Sequence, residues 1–231
     1  FDTKGERYIS RGVYVSGTFN LYDGSIANND TGKLGNPGGG VAVADSGTFN
    51  MYGGTITDNT AVSGGGVDLS DGTFNMTGGT ITGNTTYGTE NNGGGGVRVS
   101  KGTFTMSGNA VISGNKAASG GGGVHVNTRG KFTMSGDAVI SGNTAAGSGG
   151  GVCVTESGTF TMEGGTIGGT KSGEANTANY GGGVYADSIG AINMNGGEIS
   201  GNGALSDGGG VYVNKGTFTM YSGKITGNTA T

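Results

Sequence analysis

The sequence predicts an all-β protein: a single-stranded, right-handed parallel β-helix of about eight coils, each with three strands and roughly 28 residues. Three observations lead to this fold class. One sequence unit recurs along the chain, short apolar–polar alternations divide each unit, and glycine, at 58 of 231 residues, recurs in register with the repeat. Self-similarity at this period indicates stacked structural units rather than a disordered low-complexity segment.

The repeat is clearest from Gly64 to Thr85, where the chain reads GGGVDLSDGTFNMTGGTITGNT. Its opening valine recurs at spacings of 26 to 32 residues, at Val13, Val41, Val67, Val97, Val124, Val152, Val184 and Val211. We therefore expect β-helix repeats over residues 12–231, and a partial coil or weak N-terminal cap over residues 1–11. The repeat reaches Thr231 without a capping segment. This favours an excised piece of a longer chain, with an open end prone to end-on association.

Three segments in each unit alternate apolar and polar residues, which is the period of a half-buried strand. The first segment is Val-x-Val, the second is Phe-x-Met, and the third carries one Ile. All seven Met and seven of the eight Phe belong to the second segment. If equivalent strands pair about 4.8 Å apart, identical side chains stack into Phe, Met and Ile columns inside a rod about 38 Å long. Connections between parallel strands are normally right-handed, which gives the expected hand.

An asparagine follows the isoleucine by three residues in seven of the eight units, and only Thr170 departs. Asparagine tolerates the left-handed backbone of a tight corner, and its amide can bond to equivalent amides and to corner backbone. The alternative is that these asparagines are solvated turn residues, but a solvated turn would not require the same residue type in coil after coil. We therefore predict an inward asparagine ladder at Asn29, Asn59, Asn84, Asn115, Asn143, Asn202 and Asn228.

Glycine precedes the first valine in all eight units, from Gly12 to Gly210. Such a position favours a corner that cannot hold a Cβ, with a binding groove as the alternative. Coil length varies mainly between the asparagine and the next Gly-Gly-Gly-Val. The longest insertions there fall at 31–37, 85–92 and 171–180, and insertions of this kind often mark the binding edge of a solenoid.

The string Ile-(Ser/Thr)-Gly-Asn-(Thr/Lys)-Ala followed by Gly-Gly-Gly-Val, as at 112–124 and 140–152, carries a family resemblance. It resembles the repeats of polymorphic outer-membrane proteins, which occur in autotransporter passengers, with Ile in place of the motif Phe and Gly in place of the motif Ala. The resemblance implies a pectate-lyase-like right-handed β-helix on a secreted, adhesin-type protein. It implies no enzyme, because the matching positions are structural.

The most variable outward column lies between the two valines of the first strand. A cysteine beside a histidine in this column would suit an activated nucleophile, whereas a solvated strand face explains the same variability. A nucleophile also needs an oxyanion site and a pocket, which a flat sheet face does not offer. The tyrosines would stack on sugars or pack against a partner. In coil order the column is Tyr14, Ala42, Asp68, Arg98, His125, Cys153, Tyr185 and Tyr212.

We assign Tyr14, Asp68, Arg98, His125, Tyr185 and Tyr212 to a candidate ligand or partner face. No catalytic, metal or cofactor residue is assigned. The 16 acidic residues form no column, as the paired carboxylates of glycoside hydrolysis would require, and no Asp repeats as in calcium-binding nonapeptides. Ranks of Thr on the second and third strands resemble those of β-solenoid antifreeze proteins, although high strand propensity explains them equally.

Charge and composition exclude several classes of partner. A formal net charge of −4 disfavours nucleic acid and anionic membranes, and no apolar stretch is long enough to insert into a bilayer. The leading expectation is a non-catalytic extracellular or cell-surface β-solenoid, structural or adhesive. Its partner would be a host-surface protein, a glycan or further copies of itself end-on. The alternatives are a carbohydrate-active β-helix enzyme and an ice-binding protein.

Overall fold

The computed structural model describes residues 11–32, 37–89 and 92–231. There the chain winds into a β-solenoid of about eight coils and roughly 28 residues per turn, without any α-helix, as the sequence predicts. Each strand pairs in parallel with its equivalent one coil away. The expected N-terminal cap falls on residues outside the described part of the chain, except for Arg11, whose Nε donates a hydrogen bond to the carbonyl of Pro37.

The three predicted strands of each coil build three sheets of eight strands each. The first sheet contains Val13–Val15, Val41–Val43, Val67–Leu69, Val97–Val99, Val124–Val126, Val152–Val154, Val184–Ala186 and Val211–Val213. The second contains Thr18–Leu21, Thr48–Met51, Thr73–Met76, Thr103–Met106, Lys131–Met134, Thr159–Met162, Ala191–Met194 and Thr217–Met220. The third contains Ser25–Ala27, Thr55–Thr57, Thr80–Thr82, Val111–Ser113, Val139–Ser141, Thr166–Gly168, Glu198–Ser200 and Lys224–Thr226.

A fourth sheet, of shorter strands, follows the ladder asparagine and was not anticipated. Its strands are only two residues long in most coils, too short to show a sequence period. It contains Thr60–Ala61, Thr85–Thr86, Lys116–Ala117, Thr144–Ala145, Thr177–Tyr180, Gly203–Asp207 and Thr229–Ala230. A register shift lies between the fifth and sixth of these strands, where Ala178 pairs with Ala204 but Tyr180 pairs with Asp207.

The predicted columns form the core. Phe104 pairs in register with Phe74 and Phe132, and its ring stacks on theirs at centroid distances of 4.6 and 4.8 Å. The stack runs through six phenylalanines from the first coil to Phe160, and Ile192 ends it before Phe218. These rings, with the Met and Ile columns, are excluded from solvent in the middle coils. The burial of apolar columns therefore supplies most of the drive for folding.

The third glycine of each Gly-Gly-Gly-Val lies against the interior rather than in a groove. A Cβ added to Gly123 would come within 2.7 Å of the carbonyl oxygen of Gly151 and 2.9 Å of Ile140 Cγ2. The same Cβ would lie 3.1 Å from the Nδ2 atom of Asn143. Close approach of two coils to the ladder thus explains glycine here without any ligand.

The asparagine ladder is confirmed, and Asn115 illustrates one rung. Its backbone N–H and its Nδ2 both donate to Asn143 Oδ1, each at 3.0 Å, while its own Oδ1 accepts the same pair of bonds from Asn84. Its Nδ2 also donates to the carbonyl of Ile81 at 3.0 Å. Every amide atom of this fully buried side chain is therefore paired, and the corner's backbone with it.

Two details of the predicted ladder were wrong. The ladder has no gap at Thr170, because Asn176 fills the sixth rung, with its Nδ2 2.9 Å from Asn202 Oδ1 and its Oδ1 2.9 Å from Asn143 Nδ2. The insertion in this coil therefore precedes the ladder residue instead of following it. The left-handed backbone also belongs to the preceding residue, such as Gly114 with φ of 64°, and not to the asparagine.

The eighth coil exposes columns that are buried elsewhere. Met220 and Ile225 are 43% and 42% exposed, whereas Met194 and Ile199, one coil earlier, are at most 1% exposed. The burial of each core column therefore depends on the coil stacked above it.

We expect Phe104→Ala to lower the free energy of unfolding by about 3–5 kcal/mol, because it leaves a cavity in a filled stack. The matched control is Phe218→Ala in the eighth coil, where the ring is only partly buried. Urea unfolding followed by circular dichroism measures both losses. A loss at Phe104 no larger than that at Phe218 would contradict the stacked core.

We expect Asn176→Ala to cost about 1–3 kcal/mol, as much as Asn115→Ala, because both remove the partner of buried polar groups. Thr170→Ala, at the exposed position that the sequence spacing had suggested for the sixth rung, should change stability by less than about 0.5 kcal/mol. The same unfolding measurement compares the three variants. Equal losses at Thr170 and Asn176 would contradict the assignment of the rung.

Candidate functional site

The outward column of the first sheet is in the predicted register but is not a solvated face. Asp68 pairs with Arg98, and His125 pairs with Arg98 and Cys153, each as nearest equivalents in neighbouring coils. Asp68 is fully buried, and His125, Cys153 and Tyr185 are 1%, 3% and 9% exposed. The prediction of a flat, open sheet face was therefore wrong.

The glycine-rich corners cover this column. The first glycine of the triplet has a left-handed backbone, with φ of 66° at both Gly121 and Gly149. A Cβ on Gly121 would lie 2.7 Å from His125 Cβ, and one on Gly149 would lie 2.8 Å from Cys153 Cβ. The turn thus folds the preceding chain back against the outward residue four positions later, and only glycine allows both the turn and the contact.

An ion pair occupies the covered column near its middle. Arg98 Nη1 lies 3.0 Å from Asp68 Oδ1, and the side chains are 18% and 0% exposed. The Ser70 hydroxyl donates a hydrogen bond to the other carboxylate oxygen. Removing one partner of such a pair is costly because it leaves a buried charge uncompensated.

His125 is the chain's only histidine, and it is held neutral. Burial, together with the nearby Arg98 guanidinium, lowers its pKa to about 3. Its Nε2 lies 3.1 Å from the Thr155 hydroxyl, while its Nδ1 has no hydrogen-bond partner within the described part of the chain. At neutral pH this side chain is therefore an uncharged imidazole.

Cys153 is a buried free thiol with suppressed reactivity. Burial, together with the Asp187 carboxylate, raises the pKa of the thiol to about 12. The thiolate is the nucleophilic form of cysteine, so very little of it is present at neutral pH. The neighbouring Cys153 and His125 thus lack the charge states of an activated nucleophile.

Two cavities open along the covered column toward its C-terminal end. The smaller, of about 240 Å³, is lined by the corners of successive coils together with His125, Cys153, Thr155 and Tyr185. The larger, of about 330 Å³, is lined by Tyr180, Tyr185, Asp207, Tyr212 and Asn214. Tyr185 lines both, so the two cavities adjoin. We call them together the sheet-one groove.

A hydrogen-bond network centred on Asp187 spans the junction of the two cavities. Asp187 accepts from the Tyr185 hydroxyl at 3.2 Å, from Asn214 Nδ2 at 3.0 Å and from the Ser188 backbone N–H at 2.6 Å. Burial raises the pKa of Tyr185 to about 12, and the Asp187 carboxylate contributes to the rise. Tyr185 therefore stays a neutral phenol.

The tyrosines of the groove form a short aromatic row. Tyr185 and Tyr212 pair in register, and their rings are parallel within 4° at a centroid distance of 5.7 Å. Tyr180 packs against Tyr212 at 5.4 Å and an angle of 42°. The register shift of the fourth sheet sets Tyr180 beside Asp207.

The structure brings together only part of the predicted face. Arg98 and Asp68 pair with each other, and His125, Tyr185 and Tyr212 line the groove. Tyr14 lies apart in the first coil, 52% exposed, and its hydroxyl donates to Asp45 at 2.7 Å.

Sequence reasoning missed several lining residues, among them Thr155, Tyr180, Asp187, Asp207 and Asn214. They stand in corners and in the unanticipated fourth sheet. The signal that was available is the position of Asp187 and Asn214, each directly after a first-sheet strand.

Other features of the described residues bear on the alternative functions. No three His, Cys, Asp or Glu side chains converge as metal ligands in the described ranges, and no helix described there could cross a membrane. On the second sheet Lys131 interrupts the Thr rank. The neighbouring rank begins with Asn20, Asn50 and Asn75, whose amides bond to one another at 2.8 and 2.9 Å.

No family model, curated protein or solved structure matches this chain. The resemblance to polymorphic outer-membrane-protein repeats therefore stays a prediction.

We expect acid to destabilise the protein through His125. Its folded pKa, about 3, lies below the unfolded value of about 6.5, so the unfolded chain binds a proton first. The contribution of the neutral imidazole is complete above pH 6.5 and is lost as the pH falls toward 3, by up to about 1.4 kcal/mol per pH unit. His125→Gln should remove this dependence. Urea unfolding at pH 7, 6, 5 and 4 measures the difference between the two proteins, and parallel profiles would contradict the buried neutral histidine.

Proposed function

We propose that this chain is a non-catalytic, extracellular structural or adhesive β-solenoid, a rigid stalk or ligand-presenting segment of a bacterial surface protein. The observation that carries the proposal is the asparagine ladder, which links all eight coils from Asn29 to Asn228 without a break. Parallel sheets run beside it over the same coils. A rod bonded at every coil has no hinge and suits a spacer that holds a binding surface away from a cell.

The charge states in the sheet-one groove support a binding role over catalysis. The thiol of Cys153 is protonated and His125 is neutral at physiological pH. An acyl-transfer or hydrolytic site would instead need an activated nucleophile or two carboxylates set apart for acid and base. The buried Asp68 is already paired with Arg98, so it is not free to act as such a carboxylate.

Ice binding has weaker support. It would require one flat, uninterrupted hydroxyl array, whereas the second sheet mixes Thr with Lys131 and with amides that are bonded to each other.

The edge of the eighth coil would also accept a further coil, whether from a continuation of the chain or from another copy, because pairing there would bury Met220 and Ile225.

The proposal predicts that the protein is exposed on intact cells that produce it. Antibodies raised against the 231-residue segment should label these cells without permeabilisation, and added protease should abolish the signal. Beads coated with the segment should also adhere to host cells or to glycan-coated surfaces if the segment is adhesive, and should not adhere if it is only a spacer. Labelling that requires permeabilisation would contradict the extracellular proposal.

A further inference from the structure

We propose that the sheet-one groove binds a short neutral oligosaccharide along the solenoid axis. This inference rests on the proposed function and deepens it, because it names the class of ligand that an adhesive segment would bind. The groove is the part of the described surface where cavities, aromatic rings and a preorganised polar network meet.

The dimensions of the groove suit an extended ligand. Its lining begins at His125 in the fifth coil and ends at Tyr212 and Asn214 in the eighth. Three coil steps of about 4.8 Å make about 14 Å along the axis. Concave sites with a few fixed polar groups are the usual form of small-ligand sites, and these two adjoining cavities have that form.

The polar groups of the groove are held in place before any ligand arrives. Asp187 is bonded to groups of three other residues: Tyr185 and Ser188 of its own coil, and Asn214 of the next coil. These bonds, one of which crosses between coils, fix the side chains and so reduce the ordering cost of binding. The network also leaves acceptor capacity on phenol, amide and carboxylate oxygens, which can bond to the hydroxyl groups of a sugar.

The tyrosines contribute their hydroxyl edges more than their faces. Tyr185 and Tyr212 stack on each other along the axis, so their ring planes face neighbouring coils. Both tyrosines line the larger cavity, and the Tyr185 hydroxyl donates a hydrogen bond to Asp187. Tyrosine in this arrangement offers an apolar body and a polar tip, which matches the mixed surface of a pyranose.

The charge of the groove selects a neutral sugar over an acidic one. Asp187 lines the smaller cavity and Asp207 the larger, and no Lys or Arg stands among the described residues that line either. A uronate or sialate would bring its carboxylate against these two without a compensating cation, and juxtaposed like charges strongly disfavour a partner.

A peptide strand fits the groove poorly. Peptides that add to a sheet need a free edge of backbone donors and acceptors. The corner that walls the groove has its backbone already paired between coils: Gly149 N–H bonds to the Tyr180 carbonyl, and Gly181 N–H to the Asp207 carbonyl. The hydrogen-bonding groups that this surface offers belong to side chains. Such groups suit a polyhydroxylated ligand better than they suit a peptide strand.

Isothermal titration of the 231-residue chain tests the proposal with five linear probes: cellohexaose, xylohexaose, mannohexaose, maltohexaose and the acidic hexagalacturonate. We expect at least one neutral hexasaccharide to bind, and hexagalacturonate not to. Tyr212→Phe keeps the ring stack but removes a hydroxyl, and Asp207→Ala removes an exposed carboxylate. Each should weaken binding about three- to tenfold, the worth of one or two hydrogen bonds.

Tyr221→Phe is the matched control, since Tyr221 lies in the same coil, 76% exposed and outside both cavities. It should leave affinity unchanged, and all three variants should melt as the parent does. Three results would overturn the proposal that the groove binds a neutral oligosaccharide. They are no binding of any neutral probe at millimolar concentration, stronger binding of hexagalacturonate, and equal weakening of binding by Tyr221→Phe. Surface labelling of intact cells would still stand in that case, so the two proposals fail separately.

Discussion

Parallel pairing between equivalent residues of successive coils is the interaction on which the rest of this structure depends. Each strand bonds to the equivalent strand of the next coil, so every side chain lies between its equivalents in the coils above and below. Residues of the same kind must therefore pack on each other. That arrangement favours flat rings, flexible thioethers, and amides that can both donate and accept hydrogen bonds. In the fourth coil these groups are supplied by Phe104, Met106 and Asn115. The arrangement disfavours charge, since a charged column would repel itself.

The outward column of the first sheet is the place where the chain departs from this rule. Its occupants differ from coil to coil, so opposite charges can pair, as Asp68 and Arg98 do, and a neutral imidazole can stand beside a neutral thiol. Glycine turns shield these groups from water, and the resulting desolvation moves the pKa values of His125 and Cys153 away from their reactive ranges. The cover that forms a groove therefore also removes the nucleophile that the residue types suggest.

Bonds between the same two coils support the sheet-one groove and the interior of the solenoid. Asp187 and Asn214 link the seventh and eighth coils at the groove, while Asn202 and Asn228 link the same two coils in the interior. The lining of the groove holds Asp187 and Asp207, in keeping with the formal net charge of −4 of the whole chain.

The sequence by itself determined the coil number, the three main strands, the core columns and most of the ladder, because these depend on local period and on pairing between equals. The repeat spacing misplaced the sixth rung, since an insertion can precede or follow a corner residue and only the bonds of Asn176 to its neighbours decide which. The groove was decided by tertiary structure alone. A first-sheet position alternates outward whether or not something covers it. The cover comes from the recurring glycine triplet, whose period does not show that its turn folds over His125 and Cys153. Tyr180 and Asp207 meet only because the fourth sheet shifts register between them, and such a shift depends on how two coils of unequal length pack.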